Sequence, residues 1–156
     1  GSRGTIEEVS LDMWREMYSI HVEGAYHVCK RAIPGMVERG DGRIVNMASV
    51  GGLVPYQESA DYASAKGALM SMTRQLAGDY SKDGIRVNAV GPGGTLTSMV
   101  YEVMSEERRE YLENQTPLRR LADPDEVADA ATFLASDMAS YVNGHVLFVD
   151  GGFSIS

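Results

Sequence analysis

The sequence predicts an α/β fold in which a parallel sheet carries helices on both faces. Three observations point there. Short apolar runs alternate with long helical stretches, and such alternation builds parallel sheets covered by helices. Glycine punctuation at Gly42 and Gly84 precedes two of the apolar runs. The residues with chemical potential follow strand ends, where open α/β sheets hold their ligands.

Residues 11–39 read as one long helix, with Ser10 placed to cap it and Leu11, Trp14, Met17 and Tyr18 on an apolar stripe. Pro34 should kink that helix or end its regular part. Residues 44–48 form the first strand, 59–80 a helix that stops at Lys82-Asp83-Gly84, and 85–90 the second strand. Residues 98–113 read as a mobile helical segment, 124–135 as another helix and 145–149 as the last strand. Three strands are few: the first would lack a neighbour, and two helices would expose apolar sides. Alone, such a chain should be marginal unless it dimerises or meets its other half.

With 44% hydrophobic residues, the 156-residue chain suits one globular domain over 1–156. A single cysteine, Cys29, allows no internal disulfide and fits a reducing cytoplasm. No apolar run reaches the ~18 residues of a membrane span, and the N-terminus shows no basic-then-apolar signal. The expectation is a soluble, unexported, cytoplasmic protein with no membrane contact. A net charge of −8, from 22 acidic and 14 basic side chains, argues against nonspecific nucleic-acid binding. His27 and His145 read as ordinary surface and strand residues, and no cluster has metal-ligand spacing, so no metal is expected.

Tyr62 and Lys66 lie four apart on the second helix, with Ser49 thirteen positions before Tyr62 at a strand end. Residues at that helical spacing share a face, with β-carbons about 5–6 Å apart. An ammonium beside a phenol favours the phenolate, and a serine hydroxyl aimed at the same point could hold a carbonyl or alcohol oxygen. Such a site moves a proton while something else moves a hydride. The bland alternatives are a turn-capping serine for Ser49 and a solvated helix lysine for Lys66.

The chain resembles the short-chain dehydrogenase/reductase family from about residue 11 to 152. The matching runs are Asn46-Met47-Ala48-Ser49-Val50-Gly51-Gly52, Tyr62-Ala63-Ser64-Ala65-Lys66, Arg86-Val87-Asn88-Ala89-Val90-Gly91-Pro92-Gly93, Pro124-Asp125-Glu126-Val127-Ala128, Phe133-Leu134-Ala135-Ser136-Asp137 and Gly144-His145-Val146-Leu147-Phe148-Val149-Asp150-Gly151-Gly152. The resemblance implies the C-terminal half of a three-layer, doubly wound Rossmann-type domain. In the family, the glycine-rich phosphate turn and an Asn-Asn-Ala-Gly segment lie upstream of where this sequence starts.

The resemblance implies an NAD- or NADP-dependent oxidoreductase acting on a ketone or secondary alcohol. It casts Tyr62 as general acid or base. Lys66 would favour the phenolate and bind the nicotinamide ribose, and Ser49 would fix and polarise the substrate oxygen. His21 stands where the family usually has an asparagine that holds a water of the proton relay. A histidine there could serve, since its ring can donate and accept, or it could weaken catalysis.

Gly91-Pro92-Gly93-Gly94-Thr95-Leu96-Thr97 is a glycine-rich turn after a strand, either a plain tight turn or a place where backbone approaches a ligand. The resemblance puts Pro92, Gly93, Thr95 and Thr97 against the cofactor, and Gly94 and Met99 with Ser49 and Tyr62 against the substrate. The segment at about 95–117 would be a substrate lid, with Met99, Val100, Val103, Met104, Tyr111 and Leu112 on its apolar side. Ordinary core packing of an amphipathic helix is the alternative. A homo-oligomer, dimer or tetramer, is implied through the helices at 11–39 and 59–80 and the last strand's edge. A noncatalytic fragment or assembly subunit without cofactor binding remains the competing reading.

Overall fold

The computed structural model describes residues 4–98, 100 and 104–156. A parallel sheet in the order β1-β2-β3 is built from β1 (Gly42–Met47), β2 (Ile85–Pro92) and β3 (Val146–Val149). The expected α/β fold is present. One face of the sheet is covered by α2 (Gly24–Arg39) and α3 (Ala60–Tyr80), the other by α5 (Pro124–Ala135). α1 (Leu11–Tyr18) packs on α3, and α4 (Glu106–Gln115) lies beyond the C-terminal end of β2.

Side-chain alternation along the strands explains the layers. Ile44, Ile85 and Val87 pack with Cys29, Ile33 and Ala77 of α2 and α3. The neighbouring Val45 and Val90 turn to the other face, against Val127 and Leu134 of α5. Arg43 and Arg86 sit side by side in the parallel register, yet each has its own partner. Arg43 reaches Asp137 at 2.7 Å, and Arg86 donates to the carbonyls of Leu134 and Ser136 at 2.9 Å, at the negative end of α5.

Local chemistry sets the helix ends. Ser10 accepts from the Met13 amide, as its position predicts. Asp123 and Glu126 form a reciprocal capping box at the start of α5. Glu126 also takes two hydrogen bonds from Arg120 at 2.6 Å, which hold its carboxyl down at about 2. α2 closes on Gly40, whose φ of 67° is the left-handed geometry of a helix stop.

The long first helix departs from expectation in one respect. Pro34 neither ends nor interrupts it, since α2 runs regularly to Arg39. The break comes earlier, where Ser19–Glu23 forms a single π-helical turn between α1 and α2. The lid segment is helical at Ser98 and Val100, as expected, with Thr97 Oγ1 accepting from the Val100 amide at 3.3 Å. It is not one helix, however: Met104 and Ser105 lie outside helix, and α4 starts at Glu106 under a Ser105 cap and runs to Gln115. Met99 and Val103 fall outside the described residues.

Candidate active site

Ser49, Tyr62 and Lys66 come together at the C-terminal end of β1. The chain leaves β1 at Met47 and makes a short 3-10 turn, Val50–Gly52, with Ser49 as its cap. Ser49 Oγ accepts from the Gly51 amide at 3.2 Å. The turn-capping role is therefore real, and it leaves the hydroxyl proton free to donate elsewhere. A methyl group placed on Gly51 would lie 3.6 Å from both Ser49 Oγ and Tyr62 Cε1, so both side chains converge on this turn.

The turn sits directly on α3. A Cβ at Gly52 would stand 2.8 Å from the Gly67 nitrogen and the Lys66 carbonyl carbon, a separation that only glycine permits. α3 thereby presents Tyr62 and Lys66, one turn apart, to the strand end. Lys66 is buried, 6% exposed, and its ammonium donates to the Met47 carbonyl at 2.8 Å. Burial pushes its pKa below the ordinary lysine range. The ammonium lies 5.6 Å from the Tyr62 ring centroid.

His21 joins this group from the π turn. Its ring meets the Tyr62 ring nearly perpendicularly, with centroids 5.5 Å apart. Burial, followed by the Lys66 charge, holds the imidazole below its usual pKa. The π turn is what brings a residue from the outer helix up to the tyrosine.

A cavity of about 480 Å³ opens beside these groups. One wall carries Ser49, Tyr62 and Lys66; another carries Pro92, Gly93, Gly94, Thr95 and Thr97. Val100, Met104, Leu112 and Val127 close the apolar side. Every described member of the predicted site except His21 lines this cavity, and His21 touches it through Tyr62. Tyr111, expected on the apolar side of the lid, is instead exposed under the Arg108 guanidinium at 5.1 Å.

The glycines of the 91–94 turn serve the protein's own packing. A Cβ on Gly93 would stand 2.8 Å from the Asp150 Cα, and one on Gly94 would stand 2.6 Å from a Leu121 methyl. Gly93 donates to Val149 at 3.0 Å, and the Gly94 carbonyl accepts from Ala122 at 2.9 Å. The turn is fixed from behind, and its Pro92, Thr95 and Thr97 side faces the cavity. A cavity of about 520 Å³ lies behind the same turn, but its Arg120 and Glu126 are bonded to one another.

Tyr56 was not singled out by sequence. It lines the 480 Å³ cavity from the β1–α3 loop, and its ring packs on Phe153 with centroids 6.2 Å apart. Its loop has no periodicity that could flag it; the one signal was its place between Ser49 and Tyr62. Among the described residues, no His, Cys, Asp or Glu cluster could hold a metal ion, and no helix is long and apolar enough to cross a membrane.

Comparison with known proteins agrees with this architecture. A family model described as enoyl-(acyl carrier protein) reductase matches residues 2–154. The 2,5-dichloro-2,5-cyclohexadiene-1,4-diol dehydrogenase of Sphingobium indicum is 43% identical over 152 residues, covering 96% of this chain and 61% of that protein. The inactive 2-(S)-hydroxypropyl-CoM dehydrogenase 2 of Xanthobacter autotrophicus is 40% identical over 154 residues, covering 96% of this chain and 67% of its own length. A gluconate 5-dehydrogenase structure from Burkholderia cenocepacia, in complex with NADP and tartrate, superposes with a TM-score of 0.94 at 32% identity. That match takes in 99% of this chain and 61% of the solved one.

Proposed function

The chain belongs to the short-chain dehydrogenase/reductase family, and on that premise we propose that it interconverts a ketone and a secondary alcohol with NAD or NADP. The observation that carries the reading is the convergence of Ser49, Tyr62 and Lys66 on one cavity beside Pro92, Thr95 and Thr97. The neighbour solved with NADP and the relatives named as dehydrogenases support it.

The donor set fits the nicotinamide end of such a cofactor. Lys66 offers an ammonium to ribose hydroxyls, while the Pro92–Gly93 backbone and the Thr95 and Thr97 groups line the space for the carboxamide. Bound there, the nicotinamide would accept or supply the hydride.

This chain's residues then handle the oxygen and its proton. Ser49 Oγ, already accepting from Gly51, donates its own proton to the substrate oxygen. The Tyr62 hydroxyl gives a proton to that oxygen in reduction, and the Tyr62 phenolate takes the proton back in oxidation. Lys66, held by the Met47 carbonyl, keeps a positive charge near the phenol and favours its anionic form. His21, against the Tyr62 ring, occupies the position from which a proton relay to Lys66 would run. Gly94, Val100 and Met104 complete the substrate side, with Leu112 of α4 in the far part of a lid that excludes water.

We place the protein in the cytoplasm as a homo-oligomer. Tyr26 of α2 is an exposed aromatic group on a groove shared with Met72, Leu76 and Tyr80 of α3, and Val28 and Val37 are further exposed apolar groups of α2. The second reading, a noncatalytic subunit, draws on His21 and on the relative named inactive. Fluorescence titration with NADH and NADPH separates the two. Saturable quenching with either, followed by turnover of a secondary alcohol, supports the enzyme; a flat titration favours the scaffold.

A further inference from the structure

We propose that Phe153 is a positioning residue for the substrate: it backs the Tyr56 ring, and Tyr56 is the wall against which a neutral, cyclic ketone or alcohol lies. The inference rests on the oxidoreductase reading above and adds to it a substrate class and two residues.

Tyr56 and Tyr62 flank the same turn. A methyl on Gly51 would lie 3.8 Å from Tyr56 Cβ and 3.6 Å from Tyr62 Cε1. A substrate whose oxygen meets Ser49 and Tyr62 therefore has its carbon frame beside Tyr56. Phe153 stands behind that ring at 6.2 Å and 45°, within the range of favourable aromatic pairs.

The C-terminal turn that presents Phe153 is firmly held. The Asp150 carboxylate accepts from the Gly152 and Ser154 amides at 3.0 and 2.9 Å. Gly151 O accepts from Leu118 at 3.2 Å, which ties the turn to the segment that follows α4. Gly151, at a φ of 60°, would put a Cβ 2.7 Å from Thr116 Cγ2, so the turn is fitted to its neighbour. The ring that sets Tyr56 thus comes from a fixed support.

The rest of the wall argues for a neutral ligand. Val100, Met104, Leu112 and Val127 are apolar, and Lys66, the one charged side chain among the described lining residues, is bonded to Met47 O. A carboxylate or phosphate on the substrate would lose hydration with no cation on this wall to replace it. A ring of methylenes gains from both the aliphatic groups and the Tyr56 face.

Steady-state kinetics of the purified protein with 4-methylcyclohexanone and 2-butanone, using NADPH and NADH, test this. Phe153→Ala should raise KM for the cyclic ketone about three- to tenfold, the worth of one aromatic contact. KM for 2-butanone and for the cofactor, and kcat for both ketones, should stay within about twofold. Phe153→Leu should recover part of the loss, and Tyr56→Leu should reproduce the full effect. An equal change for both ketones, or none for either in both the Phe153→Ala and Tyr56→Leu variants, overturns the positioning role. Turnover of 2-butanone by the unaltered protein without turnover of the cyclic ketone overturns the substrate class alone. No turnover of either ketone with either cofactor removes the oxidoreductase reading, and this inference with it.

Discussion

The His21 imidazole meets the Tyr62 phenol edge to face, with centroids 5.5 Å apart and planes at 84°. A titrating group thereby sits against the proposed proton donor. Burial and the Lys66 charge both disfavour the imidazolium, so the folded chain binds this proton less readily than the unfolded chain.

The sign of the stability effect follows. Above an unfolded-state pKa of about 6.5 both states are neutral at His21 and nothing is lost. As pH falls through that value toward the lower folded one, the unfolded chain takes up the proton first and stability drops. Thermal melts between pH 8 and pH 5 should show the parent losing more stability than His21→Asn. Parallel losses in the two proteins would remove His21 from this account.

Tyr62→Phe should lower turnover by at least about 100-fold, the usual worth of a positioned acid or base. NAD(P)H affinity should change by less than about threefold, because the ring contact with His21 survives while the hydroxyl is lost. Stopped-flow binding beside steady-state rates makes the comparison. Retained turnover would give the proton transfer to another group.

Lys66→Ala should weaken both the fold and the cofactor site. It removes the Lys66 donor from the part-buried Met47 carbonyl, a loss of about 1 kcal/mol for a hydrogen bond of this kind. Cofactor affinity should fall about tenfold or more with the loss of a charged hydrogen-bond donor. Urea unfolding and NADH titration read the two effects separately, and an unchanged cofactor affinity would confine Lys66 to a structural part.

Gly52→Ala should cost about 1–3 kcal/mol by overpacking, since the methyl would meet α3 backbone at 2.8 Å. Because the turn also carries Ser49, turnover should fall with stability even where the protein remains folded. A stable, fully active Gly52→Ala protein would show that the turn and α3 can separate without consequence for the site.

Much of the fold was legible because its signals are local. The glycine stop at Gly84, the Ser10 cap and the apolar strands act within a few residues and reappear where expected. Ser49, Tyr62 and Lys66 were legible for a related reason: one strand end and one helix fix their placement. Tyr56 and Phe153 were hidden because their contact joins positions nearly a hundred residues apart, with no repeat to mark either. The π turn was hidden too. Ser19-Ile20-His21-Val22-Glu23 has no residue that forbids ordinary helix, and Pro34, which carries the strongest local signal against it, is absorbed without a break. The lid is helical from Ser98 as its pattern suggested, but not continuously: Met104 and Ser105 lie outside helix, and Ser105 with Glu106 and Glu107 starts a second helix.

The π turn also acts as a phase shifter. One residue more than an α-helical turn needs is taken up within Ser19–Glu23, and one residue of α-helix is a rotation of about 100°. α1 is therefore clocked against α2, so that Met17 comes to be buried in one while Cys29 and Ile33 face the sheet in the other. Removing a single residue from the turn would leave the two helices continuous and of nearly the same length. Its effect would surface at a distance, as a quarter-turn of the whole Leu11–Tyr18 segment away from α3.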